Sequence, residues 1–306
     1  MSAALDGRVA IITGAGRGIG REHALLMANE GAAVVVNDLG GGNDGSGSDA
    51  GPAQEVVEEI LAFGGRAVAN TDSCATWAGA AAMVEQAVSE FGQLDILVNN
   101  AGILRDTFVA GMTEAQYDAV IDVHLKGHFA MLHHAAAYWK DKSKAGEQVA
   151  ASVINTASAS GTFMPNAGQT NYGAAKAGLI GLSNVLAVEG ARNNILSNVI
   201  FPVAKTRMTE ELLGAFADLL DPEFVTPMVT YLCSEACTTT HGGYSAAGGR
   251  YAKVFTGLVP GWFAGKDASV SAEDIAAHIA EITAEDGYIV PQSTGDEIMA
   301  LAGLFS

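Results

Sequence analysis

Positive charge is scarce in this sequence. Sixteen lysines and arginines stand against 34 aspartates and glutamates in 306 residues, a formal net charge of −18. So acidic a chain repels a phosphate backbone, which excludes generic nucleic-acid binding, and it is poorly suited to an anionic membrane surface. Long apolar runs are missing too: none reaches the ~20 residues a membrane helix needs, so no membrane association is expected. The N-terminal segment MSAALDGRVAIITG lacks a basic start followed by a long apolar stretch, so no secretory signal is expected. Cysteine is sparse and odd in number, at Cys74, Cys233 and Cys237. That usage fits a reducing compartment, and a cytoplasmic location is expected. Cys233 and Cys237 lie one helical turn apart in an apolar stretch and read as small buried hydrophobes rather than a metal or redox pair. No repeat of solenoid period is present.

What remains is apolar and periodic. Hydrophobic residues make up 49% of the chain and charged residues only 16%, enough for a sizeable core. Short β-branched runs predict strands at Val9–Thr13, Ala33–Asp38, Ala67–Asn70, Ile96–Asn99, Val153–Thr156 and Ser197–Phe201, with a seventh within Tyr244–Phe255. They are nearly continuous in apolar character, as parallel strands covered on both faces should be. Helical patterns fill the gaps at Ile19–Glu30, Ala53–Phe63, Ala78–Phe91, Glu114–Trp139, Tyr172–Gly190 and Pro227–Glu235, with Thr226-Pro227 as N-cap and first helical position. Strand–helix alternation at this spacing means βαβ units and a doubly wound α/β sheet. Two regions break the rhythm. Leu39–Pro52, LGGGNDGSGSDAGP, reads as a mobile loop, either a flap near a cofactor ribose or a surface insertion. The tail from Gly257 carries Ser271 and Asp274 in capping-box spacing before a short helix. The expected organisation is a domain over 1–256 and an extension over 257–306 that packs on it.

Strand one runs into TGAGRGIG, residues 13–20. Small residues let such a turn pass close to a pyrophosphate, and the helix opening at Ile19 aims its free N–H groups and positive dipole end at the phosphates. Gly14, Arg17, Gly18, Ile19 and Gly20 are therefore candidate cofactor contacts. Asp38 ends strand two, 18 residues beyond Gly20. An acidic residue at about that distance meets the adenosine ribose hydroxyls, and its charge opposes a 2′-phosphate, which favours NAD. Arg17 is a counter-signal within the same turn. Further on, Tyr172 and Lys176 stand one turn apart on one helix face, where an ammonium near a phenol lowers its pKa toward neutrality. Tyr172 is then a candidate general acid/base. Ser158 lies at the end of the preceding strand, where α/β ligand crevices form.

Together these segments resemble the short-chain dehydrogenase/reductase family over about residues 5–255. TGAGRGIG matches its Thr-Gly-x-x-x-Gly-x-Gly turn, and Asn99-Asn100-Ala101-Gly102 matches its Asn-Asn-Ala-Gly motif. Ser158, Tyr172 and Lys176 match its catalytic serine, tyrosine and lysine. The resemblance implies a Rossmann fold with a mostly parallel seven-stranded sheet. It implies Tyr172 as general acid/base, with Lys176 binding the nicotinamide ribose and lowering the Tyr172 pKa, and Ser158 orienting the substrate oxygen. It also implies adenine contacts at Asp72 and Ser73 and contacts with the nicotinamide end at Pro202, Val203 and Thr206, beside those at Asn100, Ala101 and Gly102. Two departures stand out. His124 occupies the place of the family's relay asparagine, 24 residues after Asn100, and Val203 replaces the usual glycine after Pro202. An imidazole still donates and accepts hydrogen bonds, so His124 is carried as a relay candidate. His128, His133 and His134 follow it but read as packing or surface residues, and no metal is expected.

Within the family, VVVNDLGG, NNAGILRD, VHLKGHF, GQTNYGAAKAGL, YLCSEAC and the tail VPQSTGDEI are similar to the (3R)-hydroxyacyl-CoA dehydrogenase module of peroxisomal multifunctional enzyme type 2 and its bacterial homologues. The chain ends Gly-Leu-Phe-Ser without a peroxisomal tripeptide, so a free-standing bacterial enzyme is expected. The resemblance implies a small-molecule substrate, a 3-hydroxyacyl-CoA or a free hydroxysteroid; a catalytically inactive dinucleotide sensor is the alternative of another class. Arg105, Lys205 and Arg207 are candidate contacts for CoA phosphates. The long helices Glu114–Trp139 and Tyr172–Gly190 match those that pair across a two-fold axis in the family, which implies a homo-oligomer, dimer or tetramer.

Overall fold

The computed structural model describes residues 4–305. The six apolar runs become strands β1 Val9–Thr13, β2 Ala33–Asn37, β3 Arg66–Asn70, β4 Ile96–Asn99, β5 Ala151–Thr156 and β6 Ile195–Pro202. Each pairs in parallel with its neighbours, and β7 Gly242–Ala247 adds to β6 in the same sense. The expected seventh strand proves to be two. Gly248 and Gly249 both take positive φ and turn the chain back into β8 Arg250–Val254. A two-residue link between neighbouring strands forces an antiparallel pair, so the sheet gains one antiparallel edge. The order is β3-β2-β1-β4-β5-β6-β7-β8. Direction of travel across the sheet reverses between β1 and β4, and a crevice opens there beyond the carboxyl ends of the strands.

Strand residues alternate between two cores. Ala10, Ile12, Val34, Val36, Val98 and Ile154 face one layer with Met27, Val56, Ile60 and Val229. Those side chains come from α1 Gly18–Asn29, α2 Gly51–Ala62 and α8 Thr226–Leu232. Ile11, Val35, Leu97 and Val153 face the other with Met83, Met131 and Trp139, from α3 Trp77–Phe91 and α5 His128–Lys144. Burial on both faces is why the strand sequences read as continuous apolar runs. Thr226 opens α8 rather than capping it, because its hydroxyl meets the buried Nδ1 of His23 at 3.0 Å.

The helix expected over Glu114–Trp139 is not continuous. α4 Glu114–Ile121 passes into a π-turn at Asp122–Gly127 before α5 begins. The extra residue per turn needs slack where the segment meets its neighbours, and Gly127 provides it: a Cβ there would stand 3.2 Å from the carbonyl oxygens of both Asp122 and Cys74. α6 Thr170–Gly190 follows β5, and short α7 Glu210–Leu213 follows β6.

The chain divides into two compact units, Met1–Lys253 and Val254–Ser306. The second contains α9 Ala272–Ala277, α10 Ile279–Ile282 and α11 Thr294–Leu304. Its first helix starts at the Ser271–Asp274 capping box that the spacing predicted. Leu258 and Ile289 exchange backbone hydrogen bonds at 2.9 Å, and Trp262 stacks on His278 at 4.1 Å.

Burial has a consequence for acid stability. His23 and His128 are fully enclosed, and burial lowers both imidazoles to about 3. Their unfolded value is near 6.5, so between pH 6.5 and 3 the unfolded chain binds more protons and stability falls with falling pH. Each histidine contributes up to about 1.4 kcal/mol per pH unit in that window and nothing above it. His23→Leu should flatten the fall in Tm measured between pH 6.5 and 4. An unchanged slope would show that His23 is not the source.

Candidate active site

The site is built where β1 gives way to α1. Gly14 and Gly18 take positive φ, which side chains rarely adopt. A Cβ at Gly20 would lie 2.1 Å from Gly14 O and 2.5 Å from Asn100 Nδ2, so only glycine lets the turn fold so tightly. Asn100 fixes the turn to β4 by donating from Nδ2 to Thr13 O and Gly14 O, each at 3.1 Å. Thr13 Oγ1 in return accepts from the N–H groups of Asn100 and Ala101. α1 begins with no side-chain cap and no acidic residue in its first turn. Its leading N–H groups therefore stand open toward the crevice as an anion-accepting end. Asp38 closes the adjoining wall: Oδ2 accepts from Gly16 N at 2.8 Å and Oδ1 from Gly40 N at 2.7 Å.

A cavity of about 640 Å³ runs along this switch point. Its walls include Gly14, Arg17, Gly18, Ile19, Gly20, Asp38, Asp72, Ser73, Asn100, Ala101, Gly102, Pro202 and Thr206, together with Ser158, Tyr172 and Lys176. Two candidates fall outside the walls. Val203 gives its N–H to Ala246 O in the sheet at 3.0 Å. His124 lies behind the wall, its ring edge-on to Tyr172 with centroids 5.1 Å apart and its Nε2 within 3.0 Å of both Ile103 N and Ile103 O. Gly102 makes room for it, since a Cβ there would come within 2.5 Å of the imidazole Cε1.

Electrostatics within the site are governed by burial. Lys176 Nζ donates to Thr156 O, 5.6 Å from the centre of the Tyr172 ring. Burial lowers the Lys176 ammonium to about 7, so near neutrality the lysine carries only part of its charge. The Tyr172 phenol is pushed up to about 12, first by burial and then by Asp106, with Ser158 pulling it down. Burial thus acts against the expected lowering of the phenol by Lys176, which is not among the groups that shift it. Burial and the nearby Lys176 hold His124 well below the usual histidine range.

The loop from residue 39 is part of the wall rather than a free insertion. Gly41, Gly42, Asn43, Asp44 and Gly45 all line the cavity. Asn43 donates from Nδ2 to Arg207 O at 3.0 Å and accepts from Leu104 N at 2.8 Å, while Arg105 Nε reaches Asp44 O at 2.6 Å. The loop therefore straps the end of β2 to the segments after β4 and β6. Its glycine content following Asp38 was the one signal in the sequence. Ala119, Asp122 and Val123 also reach the wall, delivered by α4 and the π-turn. Lys205 is turned away into ion pairs with Asp218 at 2.8 Å and Glu210 at 3.6 Å.

A glycine cradle, an uncapped helix end and an acidic strand end at the switch point define a dinucleotide-binding α/β protein. Comparison with known proteins narrows the class. Residues 8–214 match the family of short chain dehydrogenases. Over 246 residues the chain is 50% identical to peroxisomal multifunctional enzyme type 2 of Drosophila melanogaster, covering 79% of this chain but only 39% of that protein. Hydroxyacyl-CoA dehydrogenase ChsB1 of Mycobacterium tuberculosis is 41% identical over 251 residues, 78% of this chain and 76% of that one. A crystal structure of a short chain dehydrogenase from Mycobacterium avium superposes with a TM-score of 0.81 at 48% identity, covering 91% of this chain and 95% of that one. The chain belongs to the short-chain dehydrogenase/reductase family of oxidoreductases, which bind a nicotinamide dinucleotide.

Tyr172→Phe removes the one hydroxyl that Ser158 and Lys176 flank while leaving the ring against His124. It should lower kcat by about 10²–10⁴-fold with NADH binding, followed by fluorescence, unchanged. Near wild-type kcat in this variant would exclude Tyr172 from proton transfer.

Proposed function

We propose that the protein is an NAD-dependent dehydrogenase that interconverts a 3-hydroxyacyl-CoA and its 3-keto form. One observation carries the reading: Ser158, Tyr172 and Lys176 share a single cavity wall with the uncapped N-terminus of α1. The cradle fits a dinucleotide, since Gly14, Gly18 and Gly20 line it without side chains and the uncapped N-terminus of α1 opens on it. The glycine turn and α1 would hold the pyrophosphate, Asp38 the adenosine ribose, Asp72 and Ser73 the adenine, and Lys176 the nicotinamide ribose. Pro202 and Thr206 would flank the nicotinamide end. When bound, the cofactor supplies the hydride acceptor and a positive ring.

Tyr172 takes the hydroxyl proton as hydride leaves the carbinol carbon, and Ser158 hydrogen-bonds the same oxygen. With its pKa near 12 the phenol needs added positive charge in the crevice to act near neutrality. A partly charged Lys176, held by Thr156 O, is placed to respond to that need. His124 supports the pair from behind the wall.

Asp38 supports NAD over NADP. Both its oxygens are tied to backbone N–H groups, so the carboxylate cannot swing away from a 2′-phosphate. The thioester is supported by the name of one relative, hydroxyacyl-CoA dehydrogenase ChsB1, and by Arg105 and Arg207 in the cavity wall. α6 leaves Val185 and Val188 exposed on its outer face, which supports a homo-oligomer, a dimer or a tetramer, built through that helix.

The test is a comparison of kcat/KM across cofactors and substrates. Wild type should favour NAD over NADP by about tenfold or more, and Asp38→Ser should narrow that ratio. A 3-hydroxyacyl-CoA should be used about tenfold better than the same acyl group on a short thiol lacking the CoA phosphates, and Arg207→Ala should erode that advantage. Equal efficiency on the two thioesters in wild type would overturn the CoA assignment and favour a free hydroxysteroid.

A further inference from the structure

The loop between β5 and α6 carries Ser158 toward Tyr172, and the segment after β4 clamps it at three points. Thr107 N donates to Gly168 O at 2.8 Å. Asn171 Nδ2 donates to Arg105 O at 3.3 Å and to Gln116 O at 3.2 Å, while its Oδ1 accepts from Tyr172 N at 2.8 Å. Between these ties Asp106 Oδ2 accepts from Gln169 Nε2 at 2.7 Å. The loop also packs hard onto the first turn of α6. Gly161 takes a φ of +81°, and a Cβ there would stand 2.3 Å from Gly173 O. Residues 105–107 therefore set where the loop lies, with Ser158 at its start and Tyr172 just past its end.

The side chains in this clamp have one consistent hydrogen-bond direction. An ionised carboxylate accepts and cannot donate, so Asp106 fixes the Gln169 amide with its nitrogen toward itself. Gln169 Oε1 is then free to accept from Ser160 Oγ at 2.8 Å. Ser160 N in turn donates to Ser158 Oγ at 3.1 Å. With that acceptor position filled, the single Ser158 proton is left for an oxygen in the crevice. It reaches the Tyr172 hydroxyl and draws the phenol down, whereas the Asp106 charge acts on the same phenol in the opposite sense. The other ionisable groups facing Tyr172 are the Lys176 ammonium, 5.6 Å from the ring centre, and the His124 ring at 5.1 Å.

We propose that Asp106 is a positioning residue of the dehydrogenation, holding Gln169 and Ser160 so that the Ser158 hydroxyl keeps its proton for the reacting oxygen. In oxidation Ser158 donates to the alcohol oxygen while Tyr172 takes the hydroxyl proton and hydride leaves the carbinol carbon. Asp106 exchanges no proton and touches no substrate. Its tie to Gln169 is exposed, where one hydrogen bond adds little to stability, so its loss is felt at Ser158 rather than in the fold. The proposal rests on the dehydrogenase reading of Ser158 and Tyr172 and not on the choice of thioester.

The experiment compares Asp106→Ala, Asp106→Asn, Gln169→Leu and the double variant Asp106→Ala with Gln169→Leu. It uses the full-length enzyme on whichever alcohol the wild type oxidises with NAD, so an adverse result with CoA thioesters leaves it intact. Failure of the dehydrogenase reading shows separately, as near wild-type kcat in Tyr172→Phe. The readouts are Tm, NADH binding by fluorescence, KM and the pH profile of kcat. Asp106→Ala should lower kcat by about tenfold or more, with Tm and NADH binding little changed. Gln169→Leu should lower it to the same extent, and the double variant no further than either alone, because each breaks the same path. Asp106→Asn, whose amide oxygen still accepts from Gln169, should keep most of kcat. It should also move the alkaline rise of the profile to lower pH, since the charge opposing the Tyr172 phenolate is gone. If Asp106→Ala does not fold, Gln169→Leu and Asp106→Asn carry the same opposed expectations. Wild-type kcat in Asp106→Ala or Gln169→Leu would overturn the proposal, as would losses that add in the double variant. So would a loss in Asp106→Asn equal to that in Asp106→Ala, or losses that follow Tm across the variants.

Discussion

The close approach of the β1–α1 turn to the end of β4 is the constraint on which the rest of the site depends. Gly14 and Gly20 pack so tightly that a methyl group at either would meet backbone at under 3 Å, and Asn100 locks the contact with two hydrogen bonds to the turn. Because the sheet reverses its order there, the strands on either side lead their loops away and leave a crevice. The same contact aims α1 into that crevice and sets the Asn100-Ala101-Gly102 segment as its floor. His124, behind Gly102, depends on it in turn.

A second constraint is how little solvent reaches Tyr172, Lys176 and His124. Tyr172, Lys176 and His124 all have pKa values moved in the direction that disfavours their charged forms. Their chemistry is held in a neutral resting arrangement, responsive to charge brought into the crevice. The strap over residues 41–45 contributes to this enclosure by joining β2 to Leu104, Arg105 and Arg207.

The sequence by itself determined the alternation of strands and helices, the glycine turn, the acidic end of β2 and the Tyr172/Lys176 pair. These are local properties: apolar periodicity, backbone freedom at glycine and one-turn spacing act within a few residues, so they can be read along the chain. Whatever required distant segments to meet was decided only by the tertiary structure. It split the last predicted strand at Gly248-Gly249, put a π-turn into a helix that reads as continuous, and tied the Val203 N–H to Ala246 O. It also turned a glycine-rich loop into a wall and set burial against the lowering of the Tyr172 pKa that the one-turn spacing suggests. Desolvation and hydrogen-bond pairing depend on which residues surround a group in space, and neighbours such as Thr156, Ile103 and Asn99 lie far from Tyr172 and His128 in sequence while sharing their enclosure.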